Sequence, residues 1–91
     1  MEQAEAIAAL GALAQVTRLQ LYRLLLAQTA GMSAGNIAER LGVAPSSFSF
    51  HLTELVQAGL ITQIRAGRQL IYAVQRATMQ SLIRYLGDMT G

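Results

Sequence analysis

The chain has no cysteine, so neither a disulfide nor a thiolate metal site can form within its 91 residues. It has no lysine either: all 7 basic residues are arginine. Arginine suits planar, bidentate contact with phosphate or guanine better than diffuse attraction, although codon bias is the simpler explanation of the usage taken alone. Only one histidine is present, His51. Metal sites draw on clusters, so a lone histidine is far more often a packing or phosphate-contacting residue than a ligand. No apolar run approaches the roughly 18 residues needed to cross a bilayer. The N-terminus Met1-Glu-Gln-Ala-Glu5 is acidic rather than basic before its alanines, so neither a signal peptide nor a membrane span is expected and the expected location is cytoplasmic. There is no glycine-rich phosphate loop, and the nearest thing to a carboxylate pair is Glu2 with Glu5 on a helix surface. An enzyme is the least expected class.

What remains is apolar. Hydrophobic residues make up 53% of the chain and charged residues only 13%. One domain spanning residues 1–91 has a marginal core at this size, so burial against a second copy is expected to help. The net charge is +2, and its placement says more than its total. From Arg65 to Arg84 there are 4 arginines and no acid, whereas Glu2, Glu5, Glu39, Glu54 and Asp88 are scattered. A polyanion would be met by the C-terminal third.

Periodicity predicts a mainly helical fold of about five helices with a small two-stranded β-hairpin. Ala6, Ile7, Leu10 and Leu13 recur at helical spacing in a first helix from Glu2 to about Ala14. Thr17 is expected to cap a second helix running to about Gln28, apolar nearly all round and therefore the buried centre of the domain. Gly31 ends that connection, Ser33 caps a third helix through Leu41, and Gly42 supplies the left-handed residue that stops it. Pro45 suits the first position of a fourth helix that Gly59 terminates. The third and fourth helices with their tight turn make a helix-turn-helix. Leu60–Arg65 and Gln69–Val74 are β-branched runs bracketing Ala66-Gly67, the signature of a hairpin. Met79, Leu82, Ile83 and Leu86 form the stripe of a last helix from Arg76, with Gly87 at its fraying end.

The fourth helix divides cleanly. Phe48, Leu52, Leu55 and Val56 form one apolar stripe, while Ser46, Phe50, Thr53 and Gln57 fall on the other side, a face small, polar and flat enough to read bases. Phe50 has no core on that side, which leaves it to meet DNA or to pack on the neighbouring helix of the pair. His51, at the stripe's edge, is expected to hydrogen-bond within the fold or to a phosphate.

These elements, in this order, resemble the ArsR-type winged helix-turn-helix repressors over essentially the whole chain. The resemblance rests on Thr17-Arg-Leu-Gln-Leu-Tyr-Arg-Leu-Leu25, on Ile37-Ala-Glu-Arg-Leu-Gly42, and most strongly on Ser49-Phe-His-Leu52 with Leu55, Ala58-Gly-Leu60, Gly67-Arg68 and Tyr72. It implies that Ser46, Ser47, Ser49, Phe50 and Thr53 lie along the major groove of double-stranded operator DNA. It also implies that Arg65 and Arg68 flank the adjacent backbone or minor groove from the wing. Hydroxyls there would serve bases or phosphates, and an arginine at a wing tip follows a narrow groove by its potential. Ser46 and Ser47 can equally take orphan amides at the helix start, and capping is the leading expectation for Ser46.

A homodimer built from the first and last helices is expected, as the resemblance also implies, because their stripes, Ile7, Leu10 and Leu13 with Met79, Leu82, Ile83 and Leu86, carry more apolar side chains than a three-helix core with a hairpin can cover. The alternative is that these side chains complete the monomer core. The family's metal sensors use cysteine pairs in the third helix or carboxylate and histidine sets on the last, and neither pattern occurs in Ser33–Leu41 or after Arg76. No metal and no cofactor is expected on these residues. Pro45-Ser-Ser-Phe-Ser-Phe-His-Leu52 with Met79-Gln-Ser-Leu-Ile-Arg-Tyr-Leu86-Gly-Asp88 looks like an arsenic-responsive subgroup whose sensing thiols follow the last helix. The expected effector is thus arsenite or a related metalloid, through thiols beyond Gly91; the alternative is a non-metal signal, or no ligand at all. A winged-helix module that binds protein is the alternative outside DNA recognition.

Overall fold

Helix α1 (Gln3–Leu13) begins where the Glu5 carboxylate accepts from the Glu2 amide at 2.7 Å. In this computed structural model, which describes residues 1–91, its inward row is Ala6, Ala9 and Ala12 rather than the larger residues of the predicted stripe. Ile7 is 61% exposed and Leu10 lies outside as well. Alanines let α1 lie close on its neighbours, and close approach gains dispersion contact that a larger side chain would prevent.

Helix α2 (Val16–Leu26) is capped by Gln15, whose side-chain oxygen accepts from the Arg18 amide at 2.9 Å, and not by Thr17. Gln15 is still extended at φ −149° and ψ 132°, so the helix starts two residues earlier than predicted. Only Leu21, Tyr22 and Leu25 are buried, while Val16, Leu19 and Leu26 are exposed, so α2 has a single inward face instead of being buried all round. The phenol of Tyr22 is pushed above its ordinary value by burial, against a smaller opposing pull from the charge of Arg76.

A two-residue strand β1 (Met32–Ser33) leads directly into α3 (Ala34–Leu41), where the Ser33 hydroxyl accepts from the Asn36 amide at 3.2 Å. Gly42, at φ 69° and ψ 30°, stops α3 in the left-handed region as expected. The predicted single helix from Pro45 is in fact two pieces. A 3-10 turn, Pro45–Ser47, is followed by Phe48 at φ −128°, and only then by α4 (Ser49–Gln57). The break falls at Phe48, whose ring is buried in the core at 1% exposure.

Past α4 the chain reverses at Gly59. The Gly59 amide donates to the Val56 carbonyl at 3.0 Å and the Leu60 amide to the Leu55 carbonyl at 3.1 Å, a complete Schellman closure. Strands β2 (Ile61–Ala66) and β3 (Gln69–Val74) then form the hairpin, registered from Ile61 opposite Val74 to Ala66 opposite Gln69, so its turn residues are Gly67 and Arg68. The sheet has three strands rather than two: its order is β1-β3-β2, with Met32 opposite Tyr72. That extra pairing roots the hairpin beside α3. Helix α5 (Arg76–Gly87) closes the chain, followed by a 3-10 turn, Asp88–Thr90.

The core gathers Leu21, Leu25, Ile37, Phe48, Leu52, Leu55, Leu60, Ile61, Tyr72 and Leu82 from every layer. Burying each such side chain is worth about 1.5–3 kcal/mol. Phe48, Leu52 and Leu55 therefore hold α4 with its other face turned outward.

Candidate nucleic-acid interface

The outward face of α4 is intact as a surface. Ser49, Phe50, Thr53 and Gln57 are all exposed, as are Ser46 and Ser47 in the turn before it. Phe50 is 63% exposed, and its ring forms a T-shaped pair with His51 at a centroid distance of 5.6 Å. An exposed aromatic at this place can press on a thymine methyl.

The serines correct one expectation. No side chain caps either the 3-10 turn or α4, so Ser46 is not a cap. The turn is closed instead by its own backbone, Ser47 amide to Ala44 carbonyl at 2.9 Å and Phe48 amide to Pro45 carbonyl at 3.3 Å. The three hydroxyls of Ser46, Ser47 and Ser49 remain uncommitted, beside an uncapped helix start whose amides and dipole favour an anion. The Thr53 hydroxyl donates to the Ser49 carbonyl at 3.1 Å, which leaves its oxygen lone pairs outward as acceptors.

The second half of the surface is the hairpin. Its first strand is buried at the root by Ile61 and exposed from Gln63 onward, while its second is half-buried from Leu70 and buried at Tyr72, so the exposed part is the outer end of β2 with the turn and Gln69. Arg65 lies near the end of β2 and Arg68 in the turn, both exposed. Neither guanidinium hydrogen-bonds to another side chain, and the directed bonds that arginines do make run from Arg18 and Arg76. Two free planar cations at the tip of a ribbon suit backbone or minor-groove contact.

The helix-turn-helix domain family matches residues 13–64, from the end of α1 through most of β2. The transcriptional repressor SdpR of Bacillus subtilis is 32% identical over 75 residues, covering 82% of this chain and 81% of that protein. An ArsR-like transcriptional regulator from Rhodococcus sp. RHA1 superposes with a TM-score of 0.87 at 28% identity, over 96% of this chain and 80% of its own. This chain belongs to the ArsR-type family. It is a winged helix-turn-helix DNA-binding repressor, with α3 and α4 as the helix pair and β2–β3 as the wing. A homodimeric winged helix-turn-helix domain, Mb0332 of Mycobacterium bovis, shares the fold at a TM-score of 0.76 and 24% identity, over 93% of this chain and 80% of that one.

Within this ArsR-type chain the expected dimer stripe splits in two. Ile7, Leu10 and Ile83 are exposed, whereas Leu13, Met79 and Leu86 are half-buried against the core. Leu82, 2% exposed, belongs to the protomer core and has no side-chain area to offer a partner; Ile83, one position on, points outward at 63% exposure. No helix is long and apolar enough to cross a membrane, and no three of the His, Asp and Glu side chains gather where they would hold a metal ion.

One residue of consequence was not singled out by its own chemistry. Arg18, from the first turn of α2, places Nη1 3.1 Å from Nδ1 of His51, so the hydrogen bond expected of His51 is made inside the fold. The only sequence signal for it was its place in Thr17-Arg18, the start of the central-helix motif; its partner lies 33 residues away.

Proposed function

We propose that the protein acts as a homodimer on double-stranded operator DNA, in the cytoplasm where that DNA lies, and that α4 enters the major groove while the wing grips the flanking backbone or minor groove. The observation that carries this reading is the unbroken exposed row Ser46, Ser47, Ser49, Phe50, Thr53 and Gln57, set against the buried Phe48, Leu52 and Leu55. An apolar face locks the helix and a hydroxyl-rich face with one aromatic is left for base edges and phosphates. Arg65 and Arg68 add the sequence-independent part of the affinity.

Dimerisation is supported by the exposed Ile7 and Leu10 on α1 and Ile83 on α5, three large apolar side chains that the protomer does not cover. Two recognition helices related by a two-fold axis would read half-sites about 10 base pairs apart, one helical turn. Effector binding would release the DNA by favouring a dimer geometry that no longer matches that spacing. An arsenite response would rest on thiolates outside residues 1–91, which contain no cysteine.

Retention of the protein on nonspecific duplex DNA at low salt is the first test. Binding that weakens steeply as salt rises fits the reading, because each neutralised phosphate releases counterions. A folded protein that does not bind at about 50 mM salt, where such contacts are strongest, points instead to a winged helix used for protein contact.

A further inference from the structure

Arg18 makes two directed bonds to two other helices. Its Nε donates to the carbonyl of Ala12 in the last turn of α1 at 2.7 Å, and its Nη1 lies 3.1 Å from Nδ1 of His51 in α4. A guanidinium is a donor only and keeps its proton throughout the ordinary pH range. Nδ1 of His51 must therefore accept, which leaves the imidazole neutral with its single proton on Nε2. That Nε2 has no partner in the protein, and no half-buried or buried residue hides an unpartnered side-chain nitrogen or oxygen, so the Nε2–H group reaches solvent. The edge contact from Phe50 at 5.6 Å flanks the ring from within α4 itself.

We infer that Arg18 is a positioning residue for DNA binding: it fixes the tautomer and ring orientation of His51, so that Nε2–H stands at the rim of the recognition helix as a neutral donor to a backbone phosphate. The phosphate contact rests on the DNA-binding reading above; the tautomer does not. A donor fixed in advance loses no orientational freedom when the duplex arrives, so the group that holds the imidazole in place matters as much as the imidazole itself. The same guanidinium is bonded to α1, so the helix carrying Ile7 and Leu10 and the helix carrying the reading face share one side chain.

Long-range 1H–15N correlation of the imidazole in the free protein tests the first step. Wild type is expected to show Nδ1 unprotonated and Nε2 protonated at neutral pH, and Arg18→Met a mixture of both tautomers. A proton on wild-type Nδ1, or an unchanged spectrum in folded Arg18→Met, overturns the assignment. If Arg18→Met does not fold, the wild-type spectrum alone decides. The second step compares His51→Gln, whose amide N–H reaches about as far as Nε2–H, with His51→Leu on the same duplex. Glutamine is expected to bind about tenfold tighter than leucine, the value of one hydrogen bond to a charged acceptor. Equal affinities for the two overturn the phosphate role. Absence of DNA binding in wild type refutes the DNA-binding reading and the phosphate role together, while the tautomer is still read without DNA.

Discussion

Replacing Gly31 by alanine tests how the wing is rooted. Gly31 stands at φ 82° immediately before β1, and an added Cβ would meet Cγ2 of Ile71 at 2.8 Å, the carbonyl oxygen of Tyr72 at 2.9 Å and Cβ of Ala73 at 3.3 Å. Tyr72 belongs to the central strand and is registered opposite both Met32 and Gln63, so its carbonyl cannot retreat without loosening two pairings. The left-handed backbone costs alanine about 1 kcal/mol and overpacking against fixed backbone about 1–3 kcal/mol more, for a total near 3 kcal/mol. Gly42 separates the two contributions. It too has positive φ, 69°, but a Cβ there meets nothing within 4 Å, so Gly42→Ala pays only the backbone strain, about 1 kcal/mol. At roughly 4–8 °C per kcal/mol for a domain of this size, Gly31→Ala should lower Tm by about 15 °C and Gly42→Ala by about 5 °C. Thermal melts by circular dichroism must be made at one protomer concentration, since self-association makes Tm concentration-dependent. Equal losses in the two variants would refute the tight contact between Gly31 and β3.

Phe50→Ala should leave Tm nearly unchanged, because the ring is 63% exposed, yet relax sequence preference at one base pair by about 1–3 kcal/mol; a uniform loss over all sequences would contradict base readout. Arg65→Ala and Arg68→Ala should each weaken binding to all sequences alike and reduce the slope of log affinity against log salt by about 1, as measured by anisotropy titration. Ile83→Glu should shift sedimentation toward the monomer with the helical content retained, whereas Leu82→Ala, in the core, should cost about 2–5 kcal/mol of stability. Burial raises the Tyr22 phenol in the folded state, so protonated Tyr22 favours folding and that contribution is lost as pH rises from the ordinary value of 10.0 through the raised one. Urea titrations of Tyr22→Phe should show a shallower alkaline loss than wild type.

The exposed face of α4 was legible because its inner side carries large apolar residues: Phe48, Leu52 and Leu55 announce a helical stripe, and Phe50 and Thr53 must then face out. The hairpin was legible from two β-branched runs around a glycine, within one residue of its true turn. The inner row of α1 was not, because alanines occupy inner and outer positions alike and Ile7 and Leu10 draw the eye to the wrong side. Nor was β1, since two residues are too few to display a period of two and its strand character comes from its partner, β3. Gln15 displaced Thr17 as the cap because the backbone is still extended at Gln15 and helical from Val16, and the long amide side chain reaches the Arg18 amide as a shorter hydroxyl would. The Arg18–His51 bond joins residues 33 apart, and only the packing of α2 on α4 brings them together.

Selection of bound sequences from a random duplex library, with wild-type protein at moderate salt, measures operator recognition by α4 most directly. The expected outcome is an enriched inverted repeat whose half-site centres lie about 10 base pairs apart, with preference at one base pair lost in Phe50→Ala. A folded protein that enriches no motif, or a motif that Phe50→Ala and its neighbours Ser49→Ala and Thr53→Ala leave unchanged, would contradict it.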